Sequence, residues 1–205
     1  MHFRQIPRRR EVNRIRGFVL LLAILRICVV PHAVSAGEYS GFTEYPHVGI
    51  GYSASVPKEM LGFCLFTLRP QGVGLYFDLK GTVPMVSKAP DFYKNISQHE
   101  AEGWGDQLFD DKTDWISLNL GITRSLSHNT ALYLGVGLSM GTTYYQYYDP
   151  YHILGTNGDY WVEGEDTNSI NGLVGLLIGL GQNWGFEIGA EAQPSGVSLG
   201  IFGVM

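Results

Sequence analysis

Cysteine is nearly absent: the 205 residues hold two, Cys28 and Cys64. That excludes a cysteine-rich metal cluster and a disulfide-stapled framework, because either needs more thiols at closer spacing. Long apolar runs are lacking too. The nearest candidate, GFVLLLAILRICVV, offers 13 residues from Phe18 to Val30 and is broken by Arg26, whereas a spanning helix takes about 20. Arg4, Arg8, Arg9, Arg10, Arg14 and Arg16 precede it against one acid, Glu11, and Pro31 and Val34-Ser35-Ala36 follow. Basic, then apolar, then small is the order of a secretory signal. Residues 1–36 are therefore expected to be a signal peptide and 37–205 the mature domain. Without 1–36, Cys64 is the only cysteine and base is scarce: 7 Lys+Arg stand against 18 Asp+Glu, a net charge of −11. So acidic a chain is a poor binder of nucleic acid. Neither a linker nor a repeat divides residues 37–205, so one domain is expected.

Apolar residues instead occur singly, at every second position. Ile116, Leu118, Leu120 and Ile122 alternate with Ser117, Asn119, Gly121 and Thr123. After a polar turn at 127–130, Leu132, Leu134, Val136, Leu138 and Met140 alternate with Tyr133, Gly135, Gly137, Ser139 and Gly141. Period two predicts strands, and two such runs across a short turn predict a hairpin. The same pattern recurs at 48–55, 73–80, 170–180, 184–191 and 197–202, with a poorer version at Leu61–Leu68. The count is eight strands. The connections 87–114 and 149–168 are long and are the third and fifth in order; the second, fourth and sixth, at 69–71, 127–130 and 182–183, are tight. In an up-and-down meander all odd connections share one end, so the long ones emerge together. The expected fold is all-β, an eight-stranded antiparallel up-and-down barrel.

Charge is what these strands lack most. Asp78, Lys80, Arg124, Glu187 and Glu191 are the only charged residues in them. The exterior of a soluble barrel should carry about 25–35% charged positions. A face of Gly, Ser, Thr, Asn and Tyr suits the narrow inside of a barrel instead, which turns Leu, Ile, Val and Phe outward to lipid. A closed barrel also pairs every backbone group without water, as a bilayer demands. The alternative, a secreted soluble barrel, reverses the faces and lines a ligand cavity with the apolar set.

A signal, eight alternating strands, a glycine-rich inward face and acidic connections together make the chain similar to the small outer-membrane β-barrel families of the OmpX, OmpW and opacity-protein type. The resemblance spans nearly all of 46–205 and rests on pattern, with no diagnostic motif. It implies an outer-membrane location and a surface role. Such barrels usually end on an aromatic residue; here Phe202 precedes Met205 by three positions.

Four of the charged residues, Asp78, Lys80, Glu187 and Glu191, have inward parity and are expected to form a salt-bridged cluster in the barrel interior, with Arg124 a further candidate to reach in. Tyr144, Tyr145, Tyr147 and Tyr148, where the fifth strand leaves the membrane, and Trp184 at the opposite end are expected to form an aromatic girdle. The acids of 87–114 and 149–168 point to contact with lipopolysaccharide and with a host or surface ligand. The lipid bilayer is the expected solvent, and no cofactor or metal is expected. The alternatives are a lipid-modifying enzyme using His99 or His152 with Ser97, or a narrow channel for a small hydrophobic solute.

Overall fold

Residues 46–205, apart from Gln71, Thr156 and Gln182, are described by a computed structural model. The signal expected at 1–36 lies outside the described residues. Nine strands follow in order: β1 (His47–Val56), β2 (Met60–Leu68), β3 (Val73–Thr82), β4 (Phe92–Ser97), β5 (Gln107–Ser127), β6 (Thr130–Tyr148), β7 (Asp159–Gly179), β8 (Trp184–Ala192) and β9 (Ser195–Val204). One short helix, α1 (Gln98–Gly103), separates β4 from β5.

Eight of the strands close on themselves. Antiparallel neighbours run β1-β2-β3-β5-β6-β7-β8-β9, and β9 returns to β1. Closure leaves the barrel no unpaired edge, the condition for crossing a bilayer with strands. Register then decides the faces. Leu79↔Leu118 and Leu118↔Leu138 stand side by side across β3, β5 and β6, and Leu176↔Ile188 and Ile188↔Leu199 do so across β7, β8 and β9. These rows face out: Leu75, Val136 and Leu138 are 69%, 67% and 62% exposed, while Asp78, Asn119, Ser139 and Asn171 are fully buried. The barrel is apolar outside and polar inside, so the described domain is a transmembrane barrel.

Strand length is uneven. β1, β2, β3, β8 and β9 have 9 or 10 residues, the roughly 9–11 that a tilted membrane strand needs. β5 and β7 have 21 and β6 has 19, about twice that length. The surplus lies at one end, so β5, β6 and β7 project past the apolar band. This corrects the expectation of open loops at 87–114 and 149–168: β5 begins at Gln107 and β7 at Asp159. The projection has no lipid on its outer face and β4 and α1 against part of its other face, so its side chains need not follow the barrel's alternation, although the backbone ladder continues. The structure also adds a ninth strand. β4 lies parallel to β7, with Phe92 beside Trp161 and Ser97 beside Glu163, and Asp91 O accepts from Trp161 N at 2.8 Å.

Two further differences concern the wall. Arg124 pairs with Val73 and Leu132 on the outward face and does not enter the interior. The poor alternation of β2 arises because both its faces are apolar: Leu61 and Leu65 point out, whereas Phe66 and Leu68 are buried inside.

Candidate functional site: a filled lumen and an acidic projection

The middle of the lumen is polar. On β3 the two-residue period sets Asp78 and Lys80 on one face, and on β8 it does the same for Glu187 and Glu191. The structure brings all four together, each at most 6% exposed. Lys80 Nζ lies 3.0 Å from Asp78 Oδ2, donates to Glu191 Oε1, and reaches Ser198 Oγ at 2.9 Å. Ser55 Oγ also donates to Glu191 Oε1, at 3.0 Å. Register carries the network round the wall. Asp78 faces Asn119, Asn119 faces Gly137, and Gly137 faces Asn171. The missing side chain at Gly137 lets Asn171 Nδ2 donate to Asn119 Oδ1 at 3.0 Å, while Asn119 Nδ2 donates to Asp78 Oδ1 at 2.9 Å.

Glu187 has no basic partner in this network. Its Oε1 accepts from the hydroxyls of Tyr76 at 2.8 Å and Tyr133 at 2.9 Å, and its Oε2 from the Cys64 thiol at 3.3 Å. The two tyrosine rings stack 4.3 Å apart and 2° from parallel. Three neutral donors thus surround the Glu187 carboxyl. A buried ion is tolerable only when its lone pairs are satisfied in this way. Sequence reasoning named the four charged groups but missed Tyr76, Tyr133 and Cys64. The tyrosines' inward parity was the available signal.

Towards the end shared by the tight turns, the lumen turns apolar. Phe66 and Phe202 meet edge to face at 5.2 Å, and Leu68, Leu177 and Val204 pack around them. Glycine makes the room: a Cβ on Gly49 would sit inside the Phe66 ring, and one on Gly189 would sit on the Tyr133 hydroxyl. The interior is therefore filled along its length by a polar plug above an apolar stopper.

The projection at the other end has its own small core. Ala101 of α1, Tyr147, Tyr160 and Val162 are fully buried together, with Tyr93, Ile96, Tyr145 and Leu154 packed against them. Tyr160 OH donates to Asp106 Oδ2 at 2.7 Å and Tyr147 OH to Glu102 Oε1 at 3.2 Å. Burial, then the nearby Glu102 charge, pushes the Tyr147 phenol up to about 12. Tyr144 is buried beside Phe92, their rings 5.4 Å apart, and Tyr148 lies against His152. The tyrosines expected at a membrane girdle thus pack the projection instead. The shift of register near Tyr144 puts its extra residue on β7, so β6 keeps its parity; Tyr145 and Tyr147 stay in phase with Tyr133 and Ser139, and the β4–α1 segment covers them. Trp184 does stand exposed at the tight-turn end, 5.8 Å from Phe186.

Acids crowd the surface of the projection: Asp110 and Asp111 on β5 and Glu163, Glu165 and Asp166 on β7. Asp149 is different, because it builds a loop. Its Oδ1 accepts from Tyr151 N at 2.7 Å, and its Oδ2 from Ile153 N at 2.6 Å and Leu154 N at 3.0 Å. Burial opposes its charge, but these three donors outweigh that and hold its carboxyl below the usual range. Ser97 caps α1 reciprocally with Glu100, its hydroxyl 2.7 Å from Glu100 Oε2. Those hydrogen bonds hold the Glu100 carboxyl low. His152 contacts Tyr148 Oη at 3.3 Å. Ser97 and the two loop histidines are thus not joined in a catalytic arrangement by any described hydrogen bond. Among the described residues no three of His, Cys, Asp and Glu are grouped to hold a metal.

No family model and no curated protein matches the chain. Among solved structures, it is similar to the attachment invasion locus protein Ail of Yersinia pestis, at 14% identity over 78% of this chain and 93% of that one, with a TM-score of 0.42. It is also similar to the N-terminal β-barrel domain of Pseudomonas aeruginosa OprF, at 10% identity over 78% and 98%, TM-score 0.42. Neisserial surface protein A gives 13% identity over 78% and 90%, TM-score 0.30. The likeness is one of fold.

Proposed function

We propose that this chain is a non-enzymatic surface-interaction protein of a bacterial outer membrane, whose barrel holds an acidic platform clear of the lipid. The observation that carries this reading is the uneven wall. β5, β6 and β7 continue as a hydrogen-bonded sheet beyond the apolar band, and β4 and α1 brace it around a buried tyrosine core. A barrel that served only to fill the membrane would not need that extension. Short turns at one end and a projection at the other match the asymmetry of outer-membrane barrels, with the projection outside the cell and Trp184 at the inner interface. Strand carboxylates held at fixed spacing suit a cationic partner, and they can share divalent cations with neighbouring lipopolysaccharide.

Fractionated cells test the location first: the protein should sit in the outer-membrane fraction and shift on a detergent gel only after boiling. Glu163→Gln/Glu165→Gln/Asp166→Asn then tests the platform. The variant should keep the heat shift and lose adhesion of expressing cells to a cationic surface. Unchanged adhesion would remove the platform role, and a soluble protein without a heat shift would remove the membrane reading.

A further inference from the structure

The outward face has one basic spot at the tight-turn end. Arg69 opens the β2–β3 turn and Val73 closes it, and Gly72 N donates to Arg69 O at 3.4 Å. Val73 pairs directly with Arg124 of β5, and Ser125 Oγ donates back to Arg69 O at 3.2 Å. Arg124 is thus the direct neighbour of Val73, and Arg69 lies across the turn from it, tied to β5 through Ser125. Two long guanidinium side chains can converge from these positions. Both are exposed, and among the described residues neither has an ion-pair partner. Every described Asp and Glu outside the lumen lies in the opposite half of the barrel or on its projection, so among the described residues no acidic side chain competes for them.

A groove leads from this pair into the apolar band. The β2–β3 ladder ends at Phe66↔Tyr76. Below that point the Thr67 hydroxyl, not its backbone, accepts from Leu75 N at 2.8 Å, and Thr67 O accepts from Thr123 Oγ1 at 2.5 Å. The regular ladder stops there, with the Leu75 N–H and the Thr67 carbonyl still partnered. The result is a groove of about 380 Å³ lined by Val48, Leu65, Leu75, Phe77 and Leu120. It shares Val48, Thr67 and Leu75 with a second hollow of about 470 Å³ that reaches Arg69 and Val73. A smaller one joins Val73 to Arg124.

We infer that this groove is a binding site for one anionic phospholipid of the inner leaflet, with its phosphodiester held between Arg69 and Arg124 and an acyl chain laid along Leu65, Leu75 and Leu120. The charge is complementary and placed where headgroups lie. Guanidinium groups bind phosphate oxygens bidentately, which an ammonium cannot do. The groove supplies the apolar contact that a free phosphate would not use, and basic pockets at membrane-protein interfaces select anionic lipids on this basis.

The inference rests on the membrane reading above, and the test keeps the two apart. The full chain is refolded into bilayers of equal phosphatidylglycerol and phosphatidylcholine and extracted in mild detergent. Retained lipid is then counted by mass spectrometry. Phosphatidylglycerol should be enriched about 25-fold, the order expected of two basic side chains at an anionic surface. Arg69→Gln/Arg124→Gln should abolish the enrichment, whereas Lys88→Gln/Lys94→Gln, at the other end, should preserve it. Equal retention of both lipids by the unaltered protein, or enrichment that survives Arg69→Gln/Arg124→Gln, would overturn the site. So would displacement of the lipid by millimolar inorganic phosphate. The heat shift of the same samples reports the barrel: its loss would indict the membrane reading, and its presence without enrichment only the lipid site.

Discussion

Lys80 is the only cation in the lumen network, and two carboxylates depend on it directly. Lys80→Met would leave Asp78 and Glu191 buried without a counter-charge, which costs about 3–5 kcal/mol when one partner of a buried pair is removed. Urea unfolding in lipid vesicles should show that loss. Adding Asp78→Asn and Glu191→Gln should recover most of it, because the unpaired charges go as well. An unaltered midpoint for Lys80→Met alone would mean that the cluster is not an ion pair in the folded barrel. Glu187 should behave differently. It has three neutral donors and no ion-pair contact to lose, so Lys80→Met should leave the Tyr76–Tyr133 stack in place. At the apolar end, Gly49→Ala would drive a methyl group into the Phe66 ring. Overpacking of that kind costs about 1–3 kcal/mol, and Phe66→Leu in the same chain should relieve it.

Among the elements, the eight barrel strands were legible because lipid outside and a narrow lumen inside impose opposite demands on successive residues. Ser117 to Ile122 and Leu132 to Met140 carry that alternation without a break. Above the membrane the constraint lapses. Asp110-Asp111-Lys112 and Glu163-Gly164-Glu165-Asp166 look like loop although β5 and β7 run through them, the second with a bulge. The tyrosines misled for a related reason: an aromatic cluster at a strand end suits an interface as well as a small core, and only the folding back of β4 and α1 separates the two. Asp149→Asn tests the loop that the sequence left open. The native carboxyl lies below its unfolded range, so its stabilising effect is full at neutral pH and is lost as acid protonates it through that lowered value. Protection of the Tyr151, Ile153 and Leu154 amides, measured against their intrinsic exchange rates, should therefore fall below about pH 4. In Asp149→Asn these amides should lack that protection at all pH values, and protection in the native chain that does not change with pH would count against the carboxylate's role. Ala101→Asp should release the β4–α1 cover to protease without moving the melting temperature of the barrel, because Ala101 packs only in the projection's core.

The whole molecule combines a closed wall with a blocked axis, and both follow from strand number. Eight strands enclose a lumen just wide enough for side chains. Here it holds Phe66, Tyr76, Tyr133 and Phe202 at 4% exposure or less. Two barriers lie in series: the apolar stopper at the inner mouth and the hydrogen-bonded plug around Lys80 and Glu187. An ion entering from inside would first meet a dry constriction. One entering from outside would meet a lysine already paired with Asp78 and Glu191. In a planar bilayer the protein should therefore pass no resolvable current steps. Phe66→Ala/Phe202→Ala should admit solvent only as far as the polar plug and remain closed. Adding Tyr76→Ala and Tyr133→Ala, which strips Glu187 of two donors and leaves space beside it, should produce the first steps, selective for cations because the exposed carboxylate remains. Ohmic steps from the unaltered protein would contradict the filled lumen. Steps from Phe66→Ala/Phe202→Ala alone would show that the apolar stopper is the sole seal and that the charged network governs stability, not passage.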